Sequence, residues 1–285
     1  MPSLPSPPAT AHHAPRPVAL VTGAARRIGR AITLHLAAQG WDVALHCHAS
    51  HTEAEATAAE ARAAGGPTAR TTVLAADLAD DTACRALLPA AVAALGRVDA
   101  VVNNASLFEY DDASSASSAS LARHWQANTA APVALAQALA THLAARRATG
   151  EPQAQGCVVN LLDQKLWNPN PDYFSYTLSK AALKEATTLL AQALAPAVRV
   201  CGVAPGVTLV SGPLMSEGQF AAAHRLTPLG RSSTPEDIAR AVAFVLTSPA
   251  ITGTTLLVDG GQHLAAQGRD VLFLTGAATP AAPSA

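Results

Sequence analysis

From residue 17 onward, short apolar runs alternate with longer stretches of helical periodicity, and this rhythm restricts the chain to one class of fold. Val18–Val21, Val43–His46, Thr72–Leu74, Ala100–Val102, Cys157–Leu161, Val198–Val203 and Thr255–Val258 are seven strand candidates, and residues 28–39, 52–64, 80–95, 121–146, 175–194 and 235–247 carry the helical pattern. Short apolar strands separated by helices are the signature of a parallel sheet covered on both faces. The expectation is therefore α/β: a single Rossmann-type doubly wound domain with a seven-stranded parallel sheet flanked by helices. It spans residues 17–264, between a disordered Pro-rich tail (1–16) and a partly disordered C-terminal extension (265–285). The Ala/Ser stretch 113–120 reads as a loop and no boundary, because strands continue on the same rhythm after it.

Composition narrows the partners. With 49% hydrophobic and 14% charged residues, the chain can bury a sizeable core. A net charge of −1 offers no footprint for nucleic acid or an anionic membrane. No run of 18 apolar residues exists to span a bilayer, and the N-terminus lacks the apolar core of a signal peptide. Cys47, Cys84, Cys157 and Cys201 are widely spread, with no metal-like spacing to histidine, and read as buried thiols in a reducing compartment. No metal is expected, His12 and His13 being weak as a site, and the expected location is cytoplasmic.

The first strand runs into Thr22-Gly23-Ala24-Ala25-Arg26-Arg27-Ile28-Gly29-Arg30 and then a helix. A strand, a glycine turn and a helix N-terminus form a place where backbone N–H groups and the helix dipole can hold a pyrophosphate. The second strand ends in His46-Cys47-His48-Ala49-Ser50, with no carboxylate to accept from a ribose 2′-hydroxyl. With Arg26 and Arg27 beside it, this favours NADP(H) over NAD, although the histidines also fit a plain strand end.

A second chemical feature lies at 160–184. An apolar run ending at Leu162 behaves as a buried strand, a Pro/Asn-rich turn follows, and Tyr176 opens an Ala/Leu-rich helix that carries Lys180 on the same face. A phenol titrating near ~10 is a poor acid at neutral pH, and a nearby ammonium lowers that value. The pair can then exchange a proton with a substrate oxygen or nitrogen. Taken alone, the spacing also fits a mere surface pair.

Together these features resemble the short-chain dehydrogenase/reductase family over roughly residues 17–264. The glycine turn resembles T-G-x-x-x-G-x-G, with Arg27 where the middle Gly usually sits. The resemblance implies that Asp77 and Leu78 lie against the adenine ring. Asn104, Ala105 and Ser106 belong to an N-N-A-G-like motif with Ser in place of Gly, and Pro205-Gly206 to the turn beside the nicotinamide. It likewise implies that Asn128 orients the lysine and a proton-relay water, and that Lys180 also bonds the nicotinamide ribose.

One position departs from the family pattern. Thirteen residues before Tyr176, where the ordinary member has a Ser, this chain has Asp163, and a carboxyl can supply a proton that a serine cannot. With Arg-Arg-Ile-Gly, His-x-His-x-Ser and Asn-Asn-Ala-Ser-x-Phe, the change resembles the pteridine reductase branch. That likeness implies NADPH-dependent reduction of a dihydropterin (dihydrobiopterin or dihydromonapterin type) or a dihydrofolate, with Phe108 stacking the pterin and Tyr176 donating the proton. Asp163 then binds the pterin or relays a proton. The resemblance also implies a homotetramer and a C-terminus placed near a neighbour's active site, with Arg269 entering a partner's pocket. Residues 207–230 read as a mobile substrate lid. Two alternatives remain at this point: reduction of another carbonyl, such as a 3-oxoacyl thioester or a sugar, and a non-catalytic NADP(H)-binding sensor.

Overall fold

Residues 15–210 and 216–276 are described by the structure, a computed structural model. Seven strands, β1 (Val18–Val21), β2 (Asp42–Cys47), β3 (Thr71–Ala75), β4 (Ala100–Asn103), β5 (Gly156–Leu161), β6 (Val198–Pro205) and β7 (Thr255–Val258), form one sheet in the order β3-β2-β1-β4-β5-β6-β7. Every adjacent pair is parallel. The expected doubly wound α/β domain is what the chain forms.

Strand alternation explains the two cores. In β1, Val18 and Leu20 point to one side of the sheet, among Val101, Leu135, Leu139 and Val158. Ala19 and Val21 point to the other, among Ile32, Leu36, Val102 and Val242. Both faces are covered, so β1, β2 and β4 are buried along their whole length and read as continuous apolar runs.

The helices are α1 (Arg27–Ala38), α2 (His51–Gly65), α3 (Asp81–Leu95), α4 (Ser118–Trp125), α5 (Ala131–Ala148), α6 (Phe174–Leu194), α7 (Glu217–Arg225), α8 (Pro235–Thr247) and the single turn α9 (Val271–Leu274). The helical stretch expected over 121–146 is two helices joined by a π turn at Gln126–Ala130. Pro132 explains the break, because it has no N–H to give the carbonyl four residues before it, that of Asn128. The end of the Ala/Ser loop is helical as well: a Ser117–Ser120 capping box starts α4 at Ser118.

The stretch expected as a lid contains α7, started by a Ser216–Gln219 capping box. Residues 211–215 of that stretch, residues 1–14 of the N-terminal tail and residues 277–285 of the C-terminal extension lie outside the described residues. All four cysteines are buried free thiols.

The C-terminal ends of β1, β4, β5 and β6 meet along one edge of the sheet. Chain order reverses between β1 and β4, and such a switch point opens the crevice used for ligands in sheets of this kind.

Candidate active site

At the end of β1 the chain turns through Gly23 (φ +61°) into α1. A Cβ on Gly29 would stand 2.0 Å from the Gly23 carbonyl oxygen, so that position accepts glycine alone. Arg27, where the middle glycine was expected, keeps the glycine-like backbone at φ +57°. The N-cap residue Arg26 provides no side-chain cap and the first turn of α1 holds no acid. Its N–H groups therefore face a cleft of about 450 Å³, whose walls include Arg26, Arg27, Ile28, His48, Ser50 and Ala105. Asn104 braces the turn from β4, its Nδ2 donating to the carbonyls of Thr22 (2.9 Å) and Gly23 (3.1 Å).

His46 does not do what its sequence position suggested. It is 2% exposed, its Nδ1 accepts from Gly23 N (3.2 Å) and its Nε2 faces the Ala76 carbonyl (3.1 Å). Burial holds its pKa below the ordinary value, so it is a neutral brace between β1, β2 and the end of β3. His48 and Ser50 do line the cleft. Asp77 and Leu78 line neither this cleft nor the one beyond it: Leu78 packs into the core, and Asp77 caps its own turn by accepting from Ala79 N at 2.9 Å.

Beyond β5 lies a second cavity of about 280 Å³, which shares Arg27, Ile28, Asn104 and Ser106 with the first. The two form one groove across the sheet edge. Here Tyr176 Oη donates to Asp163 Oδ2 at 2.8 Å, and Lys180 Nζ donates to the Leu161 carbonyl at 2.7 Å. Both α6 side chains are buried.

Burial raises the Asp163 pKa, the bonds from Lys165 N and Tyr176 offsetting it only in part. Burial first, and then the Asp163 charge, push Tyr176 well above the ordinary phenol value. Lys180 is drawn down to about 8 by burial. The expected lowering of the phenol by the lysine is thus reversed. Desolvation and a facing carboxyl outweigh the ammonium, whose nearest bond goes to a carbonyl and which lies 6.0 Å from the phenol ring centroid. Both groups of the Asp163–Tyr176 pair are thus shifted toward their protonated forms.

Over this pair stands Phe108, 43% exposed and therefore no core residue. Its ring stacks on Tyr173 (centroids 4.2 Å apart, planes 14° apart) and meets Tyr176 edge-on at 4.7 Å. Tyr173 is placed there by a left-handed backbone, φ +54°, at the N-cap of α6. Asn128 serves this loop: its amide bonds both N and O of Leu107 (2.8 and 2.9 Å) and donates to Ser179 Oγ (3.0 Å). Its side chain anchors the Phe108 loop to α6, where sequence had assigned it to the lysine. At the far wall, a Cβ on Gly206 would meet Ser232 Oγ at 2.4 Å, so Pro205-Gly206 approaches as closely as glycine allows.

A family model described as enoyl-(acyl carrier protein) reductase matches residues 23–263. The chain belongs to the short-chain dehydrogenase/reductase family. It is 33% identical to pteridine reductase 1 of Leishmania tarentolae, over 87% of this chain and 96% of that one. At the same identity and coverage it is similar to a putative ketoacyl reductase of the granaticin polyketide synthase of Streptomyces violaceoruber. Among solved structures, the FolM alternative dihydrofolate reductase 1 of Brucella suis, in complex with NADP, superposes with a TM-score of 0.79 at 42% identity, covering 88% of this chain and 96% of that one.

As a short-chain reductase the chain is an oxidoreductase, and its C-terminal segment closes part of its own site. Gln267, Asp270, Val271 and Leu272 line the second cavity. Arg269, expected in a partner's pocket, is committed within the chain: its guanidinium holds Asp172 through bonds of 2.8–3.1 Å and lies over the Phe273 ring at 4.7 Å. Sequence reasoning missed Gln164, Lys165, Tyr173 and Asp270 as lining residues. For the first two and Tyr173 the only signal was nearness to Asp163 and Tyr176, and for Asp270 there was none.

Proposed function

We propose that this short-chain reductase uses NADPH to reduce a C=N bond of a dihydropterin, of the dihydrobiopterin or dihydromonapterin type, with dihydrofolate as a further substrate. One observation carries the reading: the phenol of Tyr176 donates to the carboxyl of Asp163 beneath Phe108, an exposed ring stacked on the buried Tyr173. A family member that reduces simple carbonyls needs only a hydroxyl at position 163. The similarity to a pteridine reductase and to an alternative dihydrofolate reductase supports the same substrate class.

The groove fits NADP(H). Gly29 leaves the space a Cβ would fill, the first turn of α1 offers free N–H groups, and Arg26, Arg27, His48 and Ser50 replace the carboxylate that a 2′-hydroxyl would require. Ser106, Pro205, Gly206 and Lys180 would hold the nicotinamide half. When bound, the cofactor supplies the hydride.

The chain's own residues manage the proton. Tyr176, kept protonated by burial and by Asp163, delivers a proton to the ring nitrogen next to the reduced carbon, so that C=N becomes CH–NH. Lys180, charged below about pH 8, stabilises the phenolate left behind. Asp163, protonated more readily than an ordinary Asp, binds the polar edge of the pterin and holds the second proton that a fully oxidised ring requires. Phe108 covers one face of a flat ring.

The direct test is NADPH consumption with dihydrobiopterin, dihydromonapterin, dihydrofolate and an acetoacetyl thioester. Fast turnover of a pterin or folate with a slow thioester reaction is expected. The reverse order overturns the reading in favour of a ketoacyl reductase, and NADPH binding without turnover on any of them overturns it in favour of a sensor. A homotetramer belongs to this reading, supported by the exposed Leu121, Trp125 and Leu178 on α4 and α6. So does a cytoplasmic location. No described helix is long and apolar enough to cross a membrane.

A further inference from the structure

Lys165 is a charged side chain at the site to which the reaction above gives no task. Its side chain is 4% exposed, and its ammonium donates to the Asp172 carbonyl (2.5 Å) and to Asp270 Oδ2 (3.3 Å). An ammonium is costly to bury unless a carboxylate accompanies it. Here that carboxylate arrives from the C-terminal segment, 105 residues away.

The same residue touches both working parts of the pocket. Its backbone N–H donates to Asp163 Oδ1 at 2.8 Å, the oxygen not used by Tyr176. Its ammonium lies 5.5 Å from the centroid of Tyr173, the ring that stacks on Phe108. Asp172, next to Tyr173, binds Arg269 and accepts from Asp270 N at 2.7 Å, so two contacts dock the segment on this one corner.

We propose that Lys165 is a positioning residue for the proton-holding pair: clasped by Asp270, it fixes the turn of Asp163 and the Tyr173 wall, and docking of the chain's own 269–274 segment sets the charge around the carboxyl. The proposal rests on the function above only in taking Asp163 to face the substrate. Asp163 shares one cavity wall with Tyr176 and Lys180 from α6, with Lys165 from its own turn and with Asp270 from the C-terminal segment. Lys165 favours its carboxylate form, whereas Asp270 favours its protonated form. The two halves of one ion pair therefore act on Asp163 with opposite sign. A merely structural clasp gives the same result whichever half is removed.

The test is a carboxyl-carbon NMR titration of the full chain labelled at aspartate, with the Asp163 signal assigned through Asp163→Asn. Lys165→Met is expected to move the Asp163 titration upward by on the order of 1 pH unit, and Asp270→Asn to move it downward. The limb of the kcat/KM profile that follows Asp163 should move in the same two directions with whichever substrate is turned over, while NADPH affinity stays unchanged and Lys165→Arg restores the wild-type profile. Shifts of the same sign, or none in folded variants, overturn the proposal. Should Lys165→Met not fold, Lys165→Gln, which loses the charge but keeps a hydrogen-bond donor for the Asp172 carbonyl, takes its place in the comparison with Asp270→Asn. Opposite shifts in a protein inactive on every pterin and folate would remove the substrate assignment and leave the role of Lys165 standing.

Discussion

Tyr176 and Asp163, thirteen residues apart, share a hydrogen bond of 2.8 Å in which the phenol donates to the carboxyl. The strand end and the helix that carry them are brought together by the sheet edge, and both groups lie where burial favours the protonated form. Tyr176→Phe should lower kcat by about 10²–10⁴-fold, the range of a positioned proton donor, with NADPH affinity within about 3-fold of wild type. Rapid turnover by that variant would take the proton donor away from this residue.

Replacing Asp163 by Ser recreates the ordinary family residue. Pterin reduction should fall by about 100-fold, while thioester reduction does not fall, and fluorescence titration with NADPH should show unchanged binding. A parallel loss in both reactions would indicate a general structural role for the carboxyl.

Lys180 gives a stability signature. Its pKa in the folded chain is about 8 against 10.5 for the free side chain, so between those values the unfolded chain holds more protons than the folded one. Stability therefore rises with pH across that window. Compared with Lys180→Met, which cannot titrate there, the wild type should gain about 1–3 kcal/mol between roughly pH 7 and pH 10. Urea unfolding of both proteins at the two pH values measures it, and a constant difference contradicts the burial of a titrating ammonium.

Phe108 packs on Tyr173 and Tyr176 yet stays 43% exposed, which leaves ring surface for a ligand. Phe108→Ala should cost about 1–3 kcal/mol of stability through its contacts with Tyr173 and Tyr176 and also raise the pterin KM by about 3- to 10-fold, the worth of one aromatic stack. A large fall in Tm with no change in KM would make it a structural residue.

Gly29→Ala places a methyl group 2.0 Å from the Gly23 carbonyl oxygen. The turn must shift, at a cost of about 2–4 kcal/mol, and NADPH affinity should drop by more than about 10-fold as the first N–H groups of α1 lose their aim. Unchanged thermal unfolding would contradict the close approach.

Sequence alone determined the fold, because the seven apolar runs had to be buried on both sides and only a helix-covered parallel sheet does that with helices between them. It also determined the glycine turn, the Tyr176–Lys180 face and the unusual Asp163, since each is a local pattern of a few neighbouring residues. What only the tertiary structure decided depends on distance through space and on burial. His46 left the cofactor cleft for the space between β1 and β3, and Asn128 went to the Phe108 loop. Arg269 went to Asp172, and Asp270 reached Lys165 from 105 residues away. The proton affinity of Tyr176 was decided there too: residue spacing brings an ammonium near a phenol, but the solvent excluded around both and the carboxyl opposite determine which way the pKa moves.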